Sequence, residues 1–310
     1  MRHVPNVATG CRARIPRVIP EWVSTRNRSN WLRAAAAVVA VSVASAASGA
    51  DPASSTPKLP TAPVVRKPLP AGTAEKLKSG DPERIAAALD DVRLAGKGAA
   101  RLTGEITGLL DRGLTASLAE AALAALAEVE APVSTPSIVS YLSHRDAKVR
   151  TAAAKALART KGTAAVVALR RALSDSEPGV RGAAASGLGA LRAREAVGDL
   201  AVALDHRVVE AAEPIGQLCN ADECNDFLGR LGRLPFDLME SGLEPILFRP
   251  NAEVSEDTKA NVIGRVRELK TNEAHKFLQE IQKRWPAGAS PRLKTLVDQA
   301  VTATNRASGS

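Results

Sequence analysis

The feature that most constrains this chain is an internal repeat. YLSHRDAKVRTAAAKALART, beginning at Tyr141, and ALSDSEPGVRGAAASGLGAL, beginning at Ala172, share one plan. Each has a leucine, a short polar turn with an acid, a Val-Arg pair, then an alanine run ending in leucine. Val149 and Val180 stand 31 residues apart, as do Arg150 and Arg181. A third copy, ALDHRVVEAAEPIGQL from Ala203, reads with Val209 and Glu210 in the Val-Arg place, after a turn two residues shorter. Helix-like stretches, TAAVVALRRAL and EAVGDLAVAL, separate the copies. A period of this length describes a unit of two helices that cannot bury its apolar face alone. Stacked units bury one another, and the chain becomes a one-dimensional solenoid.

Roles follow from this plan. Valine and alanine face the seam between helices. The acids Asp146, Asp175 and Asp205 are expected at helix N-termini, where the dipole favours negative charge. Arg150 and Arg181, in the first turn, can reach the acid of a neighbouring repeat. The other reading makes these arginines a basic ladder for acidic ligands. The brace is preferred because it explains acid and arginine together.

These residues, Asp146, Val149, Arg150, Ala153 and Leu157, then Asp175, Val180, Arg181, Ala184 and Leu188, resemble the HEAT-repeat family in its short, phycobilisome-lyase-like form. The third copy keeps Leu204, Asp205 and Val209 but lacks the arginine. The resemblance covers about 135–218, with weaker copies at 81–131. It implies an all-α solenoid of antiparallel helix pairs and brings no catalytic residue with it.

The flanking sequence agrees with helix. Asp81-Pro82-Glu83 is a capping acid followed by proline at the first helical position, a device repeated at Thr135-Pro136 and Ser290-Pro291. No stretch alternates as a strand would. Helices are expected near 223–233, 236–248, 255–270, 272–285 and 291–305. All four phenylalanines and Trp285 lie beyond residue 218, so 219–306 reads as a helical cap and 307–310 as a disordered tail. Pro235, Pro245 and Pro250 are expected to break RLPFDLMESGLEPILFRP, and its apolar side chains read as core. LGRLGRL (228–234) reads as helix, and Glu128 and Glu130 as solvated residues at a helix end.

Cys219 and Cys224 suggest a disulfide if the chain is exported; free thiols, a redox pair or a metal site are the alternatives. Export is expected from the N-terminus. Residues 1–50 carry seven arginines, then the apolar run Ala34 to Ala47, then Ser48 and Ala50 at signal-peptidase positions. The alternative is a membrane anchor over 34–50. The extension before Val23 is long for a signal, and a start near Val23 would shorten it. Residues 51–72 hold six prolines and read as an extended linker before repeats over 73–218.

Charge sharpens the functional reading. The net charge is +9. Residues 1–50 hold seven of the 42 basic residues and one of the 33 acidic ones, so their removal leaves a net of +3. The nucleic-acid signal is therefore mostly the export signal. No nucleophile elbow, HExxH pair, phosphate loop or GxGxxG is present. The sequence thus predicts an exported, non-catalytic scaffold that binds a protein or peptide and needs no cofactor or metal. Its alternatives are a DNA-repair-like nucleic-acid binder and a recruiting subunit of an envelope enzyme complex. The partner face is expected on the second helix of each pair, at Lys148, Lys155, Arg159, Arg192 and Glu210.

Overall fold

Helix follows helix through a computed structural model that describes residues 67–286 and 288–307. The export segment and residues 51–66 lie outside the described residues. The helices are α1 (Thr73–Leu77), α2 (Pro82–Ala95), α3 (Thr103–Asp111), α4 (Ala116–Val129), α5 (Thr135–Ser140), α6 (Ala147–Thr160), α7 (Thr163–Ala172) and α8 (Pro178–Ala190). They continue as α9 (Val197–Asp205), α10 (Ala212–Leu218), α11 (Ala221–Leu228), α12 (Phe236–Phe248), α13 (Glu256–Glu268), α14 (Asn272–Arg284) and α15 (Pro291–Ala307). The fold is all-α; among the described residues the nearest thing to a strand is one isolated bridge, Leu231 to Leu234.

The even-numbered helices α2 to α12 stack side by side in one layer, and the odd-numbered α3 to α11 form a second, looser layer. Alanine makes the tight layer. Ala119, Ala122, Ala125, Ala153, Ala154, Ala156, Ala184, Ala185 and Ala212 are all fully buried. A methyl side chain lets helix axes approach and costs no rotamer entropy. Leucines fill the space between layers, with Leu123, Leu126, Leu157, Leu169, Leu188 and Leu200 buried.

Starts of the even helices show the true period. α4, α6 and α8 begin at 116, 147 and 178, and a short 3-10 turn that leads into α10 begins at 209, each 31 residues after the last. The third copy therefore keeps the period: its turn is two residues shorter, but α9 runs two residues further, to Asp205. Ala211, fully buried, takes the place of Val180, while Val209 is 42% exposed. Stacking demands a small apolar residue at that point, and alanine satisfies it as well as valine.

Other expectations shift too. Stacking continues beyond residue 218, because α12 packs on α10. Pro245 lies inside α12 without ending it. The carbonyl it leaves without a donor belongs to Ser241, which is exposed to water. The apolar face of α12, Met239, Leu243, Ile246 and Leu247, is core. α11 stops at Leu228, and 229–234 is a turn with Gly232 at φ 82°. That conformation favours glycine. Helices α13, α14 and α15 pack together at the C-terminal end.

Candidate functional site

Arg150 and Arg181 hold the loops that join the layers. Arg150 Nη1 donates to the carbonyls of His144 (3.0 Å) and Arg145 (3.3 Å). Arg181 Nη1 donates in the same way to Asp175 (2.8 Å) and Ser176 (3.0 Å). Arg150 also grips the next repeat: Nε donates to Asp175 Oδ2 at 2.9 Å and Nη2 to Oδ1 at 2.8 Å. The Arg150 hydrogen bonds hold the Asp175 carboxyl below the usual carboxylate range, against the opposing effect of burial. Among the described residues Arg181 makes no such pair.

The acids take different positions. Asp146 caps α6, accepting from the Lys148 amide at 2.9 Å. Asp175 sits in the turn before α8 and accepts from the Glu177 amide at 2.9 Å. Asp205 ends α9 instead of starting a helix, so its dipole role is reversed. It survives there because Arg230 grips it at 2.9 and 3.0 Å, which holds its carboxyl below the usual range. Val149 and Val180 are fully buried.

Cys219 and Cys224 form a disulfide. It lies where α10 gives way to α11, and Arg249 reaches back to donate to the Cys219 carbonyl at 2.8 Å. Among the described residues no group of three or more His, Cys, Asp or Glu could hold a metal, and no helix is long and apolar enough to cross a membrane.

Of the five residues expected on a partner face, Lys148, Lys155 and Arg159 are exposed at helical spacing along one side of α6. Arg159 and Arg192 line a depression at one edge of the array, and Arg159 is held there by Glu130. Glu130 also pairs with Lys97 at 2.8 Å; it is a brace between repeats, not a solvated end. The Lys97 hydrogen bond is the main reason its carboxyl titrates low. Lys148 and Lys155 are exposed on α6, away from that depression, and the Glu210 carboxylate packs over Gly182.

Open grooves lie instead on the odd-numbered layer, whose helices stand further apart. One runs between α7 and α9, encloses about 510 Å³ and is lined by Arg170, Leu173, Arg181, Asp199, Val202 and His206. A second, between α5 and α7, is lined by Val139, Leu142, Ala168, Arg171 and Asp175. Val167 on α7 and Val202 on α9 are 46% and 56% exposed. Arg170 pairs with Asp199 across the first groove. The sequence places its expected partner face on the alanine-rich helices, and these grooves on the other layer lie outside that expectation. Two valines on the solvent side of α7 and α9 were the available signal.

Comparison with known proteins places the array. A family profile described as HEAT repeats matches residues 109–189 and 135–213. The complex of CpcE and CpcF of phycocyanin lyase from Nostoc sp. is 18% identical with a TM-score of 0.42, covering 84% of this chain and 100% of that one. A designed armadillo repeat protein in complex with the peptide (KR)4 is 15% identical with a TM-score of 0.31, covering 75% of this chain and 98% of that one. A search of curated proteins finds no match. The stack from residue 109 to residue 213 is an array of HEAT repeats.

Proposed function

We propose that this protein is an exported, non-catalytic scaffold that holds a polypeptide partner on its odd-numbered layer. The carrying observation is the inequality of the two layers. The even layer is closed by alanine-to-alanine packing, whereas on the odd layer exposed Val202 and Val167 stand beside Arg170 and Arg171 in open depressions. An apolar wall with a few polar anchors is the usual make-up of a binding groove. Some of the charge is held in braces between repeats, such as Glu130 with Lys97 and Arg159, and the basic residues are interleaved with acids along the sequence instead of gathered in a run. The arginine-rich segment and apolar run over 1–50 support export to the envelope.

Site-specific photo-crosslinking in the native cell tests this reading. A crosslinker at Val167 or Val202 is expected to trap a discrete polypeptide, and one at Lys155 on the even layer to trap none. Equal yields from all three positions, or trapped nucleic acid, would overturn it.

A further inference from the structure

Arg150 and Arg181 are one residue in successive repeats, and their Nη1 atoms hold equivalent loop carbonyls. Their other donors have different fates. The Nε and Nη2 edge of Arg150 is filled by Asp175, 25 residues further on. The residue 25 beyond Arg181 is His206. Both Arg181 and His206 line the groove between α7 and α9. The acid one step earlier, Asp205, is taken by Arg230. Asp199, the single acid lining this groove, is engaged by Arg170. The Nε and Nη2 edge of Arg181 therefore has no acceptor among the described residues. A planar guanidinium fork is shaped for a carboxylate, and the fold shows that match at Arg150.

We infer that the α7–α9 groove is a docking site for a side-chain carboxylate of an acidic peptide segment, taken bidentately by Arg181 beside His206. The incoming carboxylate occupies the place that Asp175 fills one repeat earlier. The exposed Val202 on the groove wall gives the aliphatic part of the segment an apolar surface. Charge complementarity selects this occupant, since Arg170 and Asp199 pair with each other and leave Arg181 beside His206 with no acid of the groove to meet it. The inference rests on the scaffold reading and names the chemistry its groove accepts.

The test uses the purified chain and a short fluorescein-labelled Glu/Gly peptide, with its Gln counterpart as control. Anisotropy is expected to show salt-sensitive binding of the Glu peptide alone. Arg181→Lys keeps the charge but loses the fork, and is expected to weaken binding about tenfold or more. His206→Asp supplies the missing acid from within the chain, and is expected to block the peptide by filling the fork. Binding unchanged in either variant, or equal binding of the Gln peptide, overturns the proposal. Photo-crosslinking from Val202 in the same variants separates the two levels. Trapping that persists in both defeats the carboxylate site and spares the scaffold, whereas no trapping even in the unaltered chain defeats the scaffold.

Discussion

Replacing Gly216 or Gly242 by alanine should break the junction between the last repeat and the C-terminal helices. Both glycines lie within helices, α10 and α12, where alanine ordinarily stabilises by about 0.5–1 kcal/mol. Here the helices cross backbone to backbone. A Cβ at Gly216 would lie 2.8 Å from the carbonyl carbon of Gly242, and one at Gly242 would lie 2.9 Å from the carbonyl carbon of Ala212. Ordinary carbon contacts fall at about 3.5–4.0 Å, so the two backbones must part by roughly 1 Å. At Gly216 the obstructing atoms are all main chain, and at Gly242 the Ala212 carbonyl is joined by Phe227 Cζ at 2.7 Å, so turning a side chain relieves neither clash. Overpacking of this kind costs about 1–3 kcal/mol and, with the rigid obstacle, should fall at the upper end. At about 2–4 °C per kcal/mol for a fold of this size, the melting temperature should drop by roughly 6–12 °C. Gly198 and Gly264 are helical glycines with open space around them, and serve as controls. Their alanine variants should melt at or slightly above the unaltered temperature. Thermal unfolding followed by circular dichroism reads all four. If Gly216→Ala or Gly242→Ala melts no lower than the controls, the close crossing is refuted.

Asp175 titrates below its ordinary value in the folded chain, so its contribution is present above about pH 4 and is lost as pH falls through the depressed value. Asp175→Asn should cost about 1–3 kcal/mol at neutral pH, and that gap should close in acid, as measured by urea denaturation at both extremes. Lys259 is 4% exposed, donates to Asn251 Oδ1 at 2.7 Å, and is held below the usual lysine range mainly by burial. The folded state then releases its proton first, so stability should rise with pH below the ordinary lysine value, and Lys259→Met should remove that rise. Closing a loop as short as Cys219 to Cys224 is worth about 2 kcal/mol, so Cys224→Ser should lower the denaturation midpoint accordingly, and reduction should do nothing further to it.

The sequence made the helical class legible because its signals are local. Asp81 and Ser255 cap helices, Pro82 opens one, and the Val149 and Val180 positions mark the seam. The disulfide was legible from two cysteines close together. The third repeat was misread because Val209 carries the right letter two residues before the right place. Register is imposed by the neighbouring helix, which accepts alanine at 211, and a single chain does not display that demand. Glu130 and Arg230 were missed for a related reason, since their partners Arg159 and Asp205 lie 29 and 25 residues away. The groove escaped because openness between α7 and α9 is a property of spacing between helices, which composition does not encode.

The claim on which the rest depends is that the 31-residue register sets residue 206 within reach of Arg181, as Asp175 is set against Arg150, even though α9 runs two residues further in its repeat than α7 does. A double-mutant cycle in stability between positions 181 and 206 tests it without any partner. His206→Asp should stabilise the chain by about 1–2 kcal/mol when Arg181 is present, and should lose that gain in the Arg181→Ala background. An equal effect of His206→Asp in both backgrounds would contradict the register and the open fork with it.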